Sequence, residues 1–240
     1  MTESQTHEKP RILCLHGFRM SAKILETQIH KWPESVLEKL DLVYLNAPYP
    51  SMGKSGVEGI FDPPYFEWFQ ANQDFTEYEN FEECIDFIED FMVKNGPFDG
   101  LLGFSQGAVL AAALPGMQAE GLVLTKVPKI KFLILISGAK LGGSKYGAPP
   151  LAANAFSPPV KCPSLHLIGE NDFQKPDSIA LLDSFVDPIV VHHLRGHTIP
   201  MLDDQSLEVV NNFIEKIRNH ATTTTQVDTR NAKHSFRSRV

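Results

Sequence analysis

LLGFSQG, residues 101–107, places Ser105 between two glycines directly after an apolar run. Such a run is typical of a buried parallel strand, and the segment that follows, QGAVLAAAL, has the composition of a buried helix. The pattern Gly-x-Ser-x-Gly at a strand-to-helix junction predicts a strained turn that exposes the serine at the helix N-terminus. We expect Gly103 and Gly107 to be required because larger side chains would collide with adjacent backbone.

Six short runs rich in Val, Ile and Leu recur along the chain. They begin at residues 11, 40, 98, 131, 163 and 187. Segments with helical spacing lie between them, and in the clearest, 77–95, apolar residues recur every three or four positions. This alternation predicts an α/β fold with a mostly parallel sheet of about six strands, helices on both faces and the spatial strand order 2-1-3-4-5-6.

Two long segments interrupt the alternation. Residues 48–76 are rich in Gly, Pro and aromatic residues, and residues 142–160 are rich in Gly, Pro and Ala. Loops of this length within a compact domain are often functional. The sequence predicts a flexible N-terminus over 1–10, one domain over 11–219, and a tail over 220–240 whose lack of apolar periodicity indicates disorder.

The composition excludes several classes of function. The chain of 240 residues has a net charge of −7, and its body shows no cluster of Lys and Arg, which argues against a nucleic-acid partner. Cys14, Cys84 and Cys162 are widely spaced, which suits buried thiols better than disulfides or a zinc site.

The sequence also bears on location. It has no apolar signal segment at its N-terminus and no run of the roughly 18 apolar residues that suggests a membrane span, so we expect no stable membrane insertion and a cytoplasmic protein. The last three residues, Ser238-Arg239-Val240, resemble a peroxisomal signal only weakly. Nothing in the sequence indicates an oligomeric state.

A serine nucleophile needs a base to take its proton and an acid to orient that base. Asp172 follows the fifth apolar run, in LIGEND, and His197 follows the sixth, in LRGHTIP. Because the carboxyl ends of parallel strands meet at one edge of a sheet, Ser105, Asp172 and His197 are predicted to lie together. Their chain order is the one that α/β-hydrolases use. We interpret them as a catalytic triad.

Other titratable residues near these strands are weaker candidates. Glu170 is an alternative acid to Asp172, but it lies closer to the end of its strand. His192 and His193 lie within the last predicted strand and His166 within the fifth, so we expect them to pack or to face solvent rather than to act as the base.

Two backbone N–H groups are predicted to stabilise the developing oxyanion. One belongs to Gln106, directly after the nucleophile. The other comes from the loop after the first strand, LHGFRMS, where Phe18 follows His16 and Gly17. We expect the His16 ring to brace this loop. The chemistry requires no metal and no organic cofactor.

Aromatic residues are concentrated in the first insert. The rings are those of Phe61, Tyr65, Phe66, Trp68 and Phe69. Their spacing is too short, and too interrupted by proline, for one face of a helix. One interpretation is that they pack the insert onto the domain. The other, which makes them candidate substrate-binding residues, is that one or two of them wall an apolar acyl pocket beside Ser105.

The motifs LCLHGFRMS, GFSQG, IGENDF and GHTIP, in this order over residues 12–200, resemble those of the FSH-type serine hydrolases, an α/β-hydrolase family. The resemblance implies the same triad and the same two oxyanion donors. It also implies carboxylesterase or thioesterase activity, often on apolar acyl chains. Arg195 and Lys175 depart from the family pattern, which commonly has a glycine and an apolar residue at these positions.

These features together predict a serine hydrolase that cleaves small-molecule carboxylic esters or thioesters of apolar acyl groups through an acyl-enzyme intermediate. Two alternatives remain open. A non-catalytic, ligand-binding homologue would be expected to lack a triad residue. A lyase or a peptidase could use the same triad, because the loops determine the choice of leaving group.

Overall fold

The computed structural model of this chain describes residues 9–219. In chain order its strands are β1 (Arg11–Leu15), β2 (Asp41–Leu45), β3 (Tyr49–Pro50), β4 (Phe66–Glu67), β5 (Gln70–Ala71), β6 (Tyr78–Glu79), β7 (Gly100–Phe104), β8 (Phe132–Ile136), β9 (Ser164–Gly169) and β10 (Ile189–His193). Six of them form one parallel sheet in the order β2-β1-β7-β8-β9-β10. The predicted architecture and strand order are therefore confirmed.

Helices connect the strands of this sheet. They are α1 (Ala22–Ile29), α2 (Glu34–Leu37), α3 (Phe81–Asn95), α4 (Gln106–Ala119), α5 (Lys175–Leu182) and a final helix, α6, over 204–219. The segment between β1 and β2, which is predicted to be helical, is divided into α1 and α2 around Pro33, which directly precedes α2. Proline lacks a backbone N–H and disfavours helical conformation in the residue before it, so one continuous helix cannot form there.

Both faces of the sheet are buried. Successive strand residues point to opposite faces. Leu13 and Leu101 pack in an apolar cluster with α3 and α4, while Ile12 and Leu102 pack in a second cluster with α1 and α6. Because neither face of the central strands β7 and β8 meets water, these two strands are apolar throughout rather than alternating between apolar and polar residues.

The two inserts are more ordered than the predicted loops. In the first, β3 pairs with β4, and β5 pairs with β6, which lies just after the insert, so that two short antiparallel ladders form. The second contains a short 3-10 helix over Pro150–Ala152. The backbone N–H of Gly147 donates to the carbonyl oxygen of Phe75 at 2.8 Å, and the Tyr78 hydroxyl donates to the carbonyl oxygen of Gly147 at 2.8 Å. The inserts therefore contact each other.

Several predictions concern residues 1–8 and 220–240, including the C-terminal tripeptide, and these lie outside the described residues. No helix within residues 9–219 is long and apolar enough to cross a membrane. The three cysteines are unpaired. Burial raises the pKa of the Cys162 thiol to about 12.

Candidate active site

Ser105 joins β7 to α4 in a strained turn. Its backbone φ is 51° and its ψ is −117°, a combination that residues with side chains rarely adopt. The backbone N–H of Ser105 donates to the carbonyl oxygen of Ile136 at 3.0 Å, and the Ser105 carbonyl oxygen accepts from the N–H of Val109 at 2.9 Å. Main-chain hydrogen bonds on both sides therefore hold the serine at the start of α4.

The glycines of the Gly-x-Ser-x-Gly pattern allow backbone segments to approach closely. A Cβ on Gly103 would lie 2.4 Å from the carbonyl oxygen of Gly107, and a Cβ on Gly107 would lie 2.2 Å from the carbonyl oxygen of Leu15. Real Cβ atoms do not come so close to backbone atoms. The serine turn and the end of β1 are thus in direct main-chain contact.

The structure brings the three predicted triad residues within hydrogen-bond distance of one another. Nε2 of His197 lies 2.9 Å from Oγ of Ser105, and Nδ1 of His197 lies 2.9 Å from Oδ1 of Asp172. Because a carboxylate only accepts, Nδ1 carries the proton and donates it to Asp172. Nε2 is therefore free to accept from the serine hydroxyl.

The Asp172 carboxylate receives two further hydrogen bonds that the sequence analysis missed. The hydroxyl of Ser137 donates to Oδ2 at 2.6 Å, and the backbone N–H of Gln174 donates to Oδ1 at 2.8 Å. The Gln174 side chain in turn donates to the carbonyl oxygen of Ser137 at 2.7 Å. Ser137 directly follows β8, and its position at the end of a predicted buried strand is the signal that would have identified it.

The His197 ring lies between two phenylalanines. The Phe104 ring packs against it at a centroid distance of 5.2 Å, and the Phe173 ring at 4.4 Å. Phe104 is buried, whereas 69% of the Phe173 surface is exposed. Phe173 therefore lies on the solvent side of the imidazole, at the entrance to the candidate site. No pattern in the sequence around Phe173 predicts this position.

The alternative acid and bases lie in other environments. Glu170 bonds to the Lys175 ammonium and to Nδ1 of His192, and these two bonds lower the pKa of its carboxyl. The base candidates His166 and His193 are buried within β9 and β10, and burial lowers the pKa of both rings. Neither Glu170 nor these histidines are hydrogen-bonded to the predicted triad.

His16 braces the loop after β1. The backbone N–H of Ala47 donates to Nε2 of His16 at 3.0 Å, so Nδ1 carries the proton and donates to the carbonyl oxygen of Gly17 at 2.8 Å. Burial lowers the pKa of His16 to about 4, which favours this neutral ring. Since the Gly17 carbonyl and the Phe18 N–H belong to one planar trans peptide and point in opposite directions, the ring also fixes the direction of the Phe18 N–H.

The two predicted oxyanion donors are free to bind a ligand. Within residues 9–219, the backbone N–H groups of Phe18 and Gln106 donate to no protein acceptor. The Gln106 side chain is engaged instead with the first insert. Its Oε1 accepts from the N–H of Trp68 at 3.1 Å, and its Nε2 donates to the carbonyl oxygen of Phe69 at 2.7 Å.

The prediction that Trp68 and Phe69 wall a substrate pocket does not match their placement. Trp68 has no exposed surface, and its Nε1 donates to the carbonyl oxygen of His16 at 2.8 Å. Phe69 is buried and packs edge-on against Tyr78 and Phe81. A ring enclosed by core side chains cannot touch a ligand in this arrangement, so both rings are assigned to the packing of the insert.

The other three predicted rings are half-buried. The Tyr65 hydroxyl donates to the carbonyl oxygen of Phe61, and the backbone N–H of Phe66 donates to the carbonyl oxygen of Met20 at 2.7 Å. The Phe66 ring lies 6.5 Å from the His16 ring, in the loop that carries Phe18. All three rings keep accessible surface, and the Phe66 ring lies near the loop that carries the predicted oxyanion donor Phe18.

A cavity of about 540 Å³ lies elsewhere in the molecule. It is lined by the second half of α4 and by residues 154–162. Because α4 begins beside Ser105 and runs away from it, the cavity is separate from the candidate active site. Within residues 9–219, no group of three or more His, Cys, Asp or Glu side chains is arranged to hold a metal ion.

Comparisons with known proteins agree with this fold. The Zea mays acyl-protein thioesterase 2 structure has a TM-score of 0.55 and 18% sequence identity, covering 90% of this chain and 97% of its own. The carboxylesterase from Mesorhizobium loti has a TM-score of 0.56 and 15% identity, covering 87% of this chain and 89% of its own. The fold is thus that of the α/β-hydrolases.

Sequence comparisons are more specific. The family model described as serine hydrolase (FSH1) matches residues 3–209. The Bos taurus esterase OVCA2 is 31% identical over 209 residues, which cover 79% of this chain and 89% of that protein. An Anopheles gambiae esterase is 29% identical over 223 residues, which cover 89% of this chain and 80% of that protein. The chain belongs to the FSH1 family of serine hydrolases.

Proposed function

We propose that this serine hydrolase cleaves carboxylic esters or thioesters of apolar acyl groups, with Ser105 as the nucleophile, His197 as the base and Asp172 as the acid. The observation that carries the proposal is the chain of hydrogen bonds from the Ser105 hydroxyl to His197 Nε2 at 2.9 Å and from Nδ1 to the buried Asp172 carboxylate at 2.9 Å. A neutral imidazole held in this tautomer can remove the serine proton.

The reaction proceeds by acyl transfer in two steps. Nε2 of His197 takes the Ser105 proton as Oγ bonds to the substrate carbonyl carbon, and the bond to the leaving oxygen or sulfur then breaks as His197 protonates that atom. A water molecule next gives a proton to His197 while its oxygen attacks the acyl carbon. Ser105 recovers the proton and the carboxylic acid departs. Asp172 orients the imidazole and stabilises its charged form throughout.

The N–H groups of Phe18 and Gln106 stabilise the oxyanion of both steps. Two features support this role: neither group has a protein acceptor within residues 9–219, and Gln106 is the first residue of α4, where the helix dipole favours negative charge. The hydrogen bond from His16 to the Gly17 carbonyl supports the same role for Phe18, because it fixes the peptide that carries this N–H.

Apolar acyl groups are favoured by the aromatic surface around the site. Phe18 is 45% exposed, and Phe173 is exposed beside His197. The half-buried rings of Phe61, Tyr65 and Phe66 remain candidate acyl contacts. The relatives named as esterases, and the structural neighbour named as an acyl-protein thioesterase, support esters and thioesters as substrates.

Labelling with a fluorophosphonate probe tests the nucleophile. The wild-type protein should be labelled, and Ser105→Ala should lose both labelling and nearly all turnover, since removal of a triad serine elsewhere costs roughly 10⁶-fold in kcat. The melting temperature reports whether the variant is folded. A folded wild-type protein that is not labelled would indicate a ligand-binding homologue rather than an enzyme.

A series of p-nitrophenyl esters and acyl thioesters tests the substrate class. If the acyl chain is buried, kcat/KM should rise by up to about fourfold for each added methylene, because a buried methylene contributes about 0.8 kcal/mol. The rise should stop where the pocket is full. Equal rates for acetate and octanoate esters would contradict an apolar acyl pocket, and turnover of peptides alone would identify a peptidase.

A further inference from the structure

The second insert carries a lysine, Lys145, that has no ion-pair partner in the described part of the chain. The Lys145 ammonium lies 5.2 Å from the centre of the Tyr146 ring and 5.4 Å from the centre of the Phe173 ring. Both distances are within the range of cation–π attraction. No carboxylate within residues 9–219 comes within ion-pair distance of this ammonium. By contrast, Lys175 is paired with Glu170.

The position of Lys145 is fixed relative to the candidate acid. The hydroxyl of the adjacent Tyr146 donates to Oε1 of Gln174 at 3.0 Å, and the backbone N–H of Gln174 donates to Oδ1 of Asp172 at 2.8 Å. The Tyr146 ring also packs edge-on against Phe75 of the first insert at 4.8 Å. These contacts hold the segment that carries Lys145 against the Asp172 loop.

The ammonium is also close to the base. Phe173 is its neighbour at 5.4 Å, and Phe173 lies 4.4 Å from the His197 ring, so the ammonium is within about 10 Å of the imidazole centre. In acyl transfer the histidine protonates the leaving group, which must therefore depart from the side of the imidazole. Phe173 is in ring contact with this imidazole and Lys145 is in contact with Phe173, so both lie within about 10 Å of the group that protonates the leaving atom.

We propose that Lys145 binds a negative charge on the leaving group, so that the preferred substrates are acyl esters or thioesters of an alcohol or thiol that carries an anion. The inference rests on the proposed function and narrows its substrate class. Phe173 would contact the apolar part of the leaving group next to the scissile bond, and Lys145 the charged part beyond it. Asp177 lies on α5, and its negative charge interacts with the Tyr146 hydroxyl. It is beyond ion-pair distance of the Lys145 ammonium, so it does not neutralise that charge.

Two esters that differ only in the charge of the leaving group test this proposal: 4-carboxyphenyl butyrate, which is anionic, and 4-carbamoylphenyl butyrate, which is neutral and nearly the same shape. The measurement is the ratio of kcat/KM for the anionic ester to that for the neutral one. Lys145→Met keeps an unbranched apolar stem, one atom shorter than lysine, and removes its charge. Differences in leaving-group reactivity cancel when the ratios of two protein variants are compared.

We expect the ratio to fall about two- to fivefold in Lys145→Met, the range for one exposed ion pair. In the wild-type protein the ratio should also fall as salt is added, because salt screens the pair. Lys94→Met is the matched control. It removes an exposed lysine in the last turn of α3, so the net charge changes equally while the ratio should stay at the wild-type value.

An unchanged ratio in Lys145→Met, or an equal fall in Lys94→Met, would overturn the inference. A second pair, mono-p-nitrophenyl glutarate and p-nitrophenyl pentanoate, places the charge on the acyl group instead. If Lys145→Met alters this pair and not the first, the assignment to the leaving group is wrong. If the neutral esters are hydrolysed and the ratio is unchanged in Lys145→Met, only the role of Lys145 is refuted. If no ester is hydrolysed at all, the proposed function itself is refuted.

Discussion

The Ser137 hydroxyl and the Asp172 carboxylate form a buried hydrogen bond of 2.6 Å across the ends of β8 and β9. Ser137 makes this bond from a backbone with a φ of 51°, while its N–H donates to the carbonyl oxygen of Leu167 at 3.1 Å. Hydrogen bonds to a carboxylate are stronger than those between neutral groups. Ser137 is therefore positioned to fix the orientation and the charge distribution of the carboxylate to which His197 Nδ1 donates.

Replacing Ser137 by alanine should lower kcat about tenfold or more. A hydrogen bond to a charged group contributes about 1.5–3 kcal/mol, and its loss leaves the Asp172 carboxylate less restrained. The same loss concentrates negative charge on Asp172, which favours the imidazolium form of its partner. The acidic limb of the pH–rate profile should therefore move to higher pH, a readout that a purely structural defect would not change.

Ser137→Gly serves as the control for the backbone. Glycine adopts a positive φ without strain but lacks the hydroxyl. This variant should be more stable than Ser137→Ala in urea unfolding, yet show the same loss of kcat. If Ser137→Gly kept wild-type activity, the backbone conformation would matter and the hydroxyl would not.

Buried histidines should make the stability fall in mild acid. Burial lowers the pKa of both His16 and His166 from 6.5 to about 4. Between these values the unfolded chain binds protons that the folded protein does not, so the contribution of each ring is complete above pH 6.5 and is lost as the pH falls towards 4. Each shift corresponds to about 3 kcal/mol of unfolding free energy.

His166→Leu isolates one of these contributions. His166 packs edge-on against Phe185, and leucine keeps an apolar contact there while removing the titratable ring. The loss of unfolding free energy between pH 7 and pH 4.5, measured in urea, should be smaller than in the wild-type protein by about 2–3 kcal/mol. An identical pH dependence in the two proteins would show that His166 does not stay neutral when folded.

Gly107→Ala should severely destabilise the protein. Its Cβ would lie 2.2 Å from the carbonyl oxygen of Leu15, and the main chain of β1 cannot move away without disturbing the centre of the sheet. We expect a loss of about 3 kcal/mol or more, or roughly 6–12 °C in melting temperature for a protein of this size. Gly56→Ala, where a Cβ would meet no atom within 4 Å, should stay close to wild type. Equal stability of the two variants would contradict the close approach.

The Trp68 side chain should contribute to the stability of the protein rather than to its preference for acyl chains of a given length. Trp68→Ala should cost about 3–5 kcal/mol, as for other buried aromatic residues, and should slow acetate and octanoate esters by the same factor. Trp68→Phe keeps most of the apolar volume but leaves the buried His16 carbonyl without its donor, so it should cost about 1–3 kcal/mol. Phe66→Ala, at a half-buried ring, is the comparison for a substrate contact. A selective loss of octanoate activity in Trp68→Phe, without a change in stability, would indicate that Trp68 does wall the substrate pocket.

The central sheet could be predicted because each of its strands is recognisable from a short stretch of consecutive residues. Each strand that is buried on both faces leaves a short apolar run, and each run ends at turn residues. The chain order of Ser105, Asp172 and His197, each directly after a run, was then enough to predict that the three side chains would lie together. The need for glycine at positions 103 and 107 could be predicted for the same reason, because the Gly-x-Ser-x-Gly pattern lies within five consecutive residues.

The remaining features depend on contacts between distant segments. The ladders of the first insert use strands of two residues, such as Phe66–Glu67, which are too short to leave an alternating pattern. Trp68 and Phe66 are two positions apart and equally aromatic, yet only the structure shows that one is enclosed and the other is not. Gln174 and Phe173 have their neighbours on other loops, and no pattern around them predicts those neighbours.

The close contact of Gly107 with the end of β1 has a consequence for how the substrate range of this enzyme can evolve. The distance between Ser105 and the Phe18 loop is set by main-chain atoms, whereas the two inserts carry Phe66 and Lys145, which we propose to contact the substrate. Mutations in the inserts can therefore alter substrate range while the reactive geometry stays constant. A library built to redirect this enzyme should randomise the inserts and leave Gly103 and Gly107 untouched.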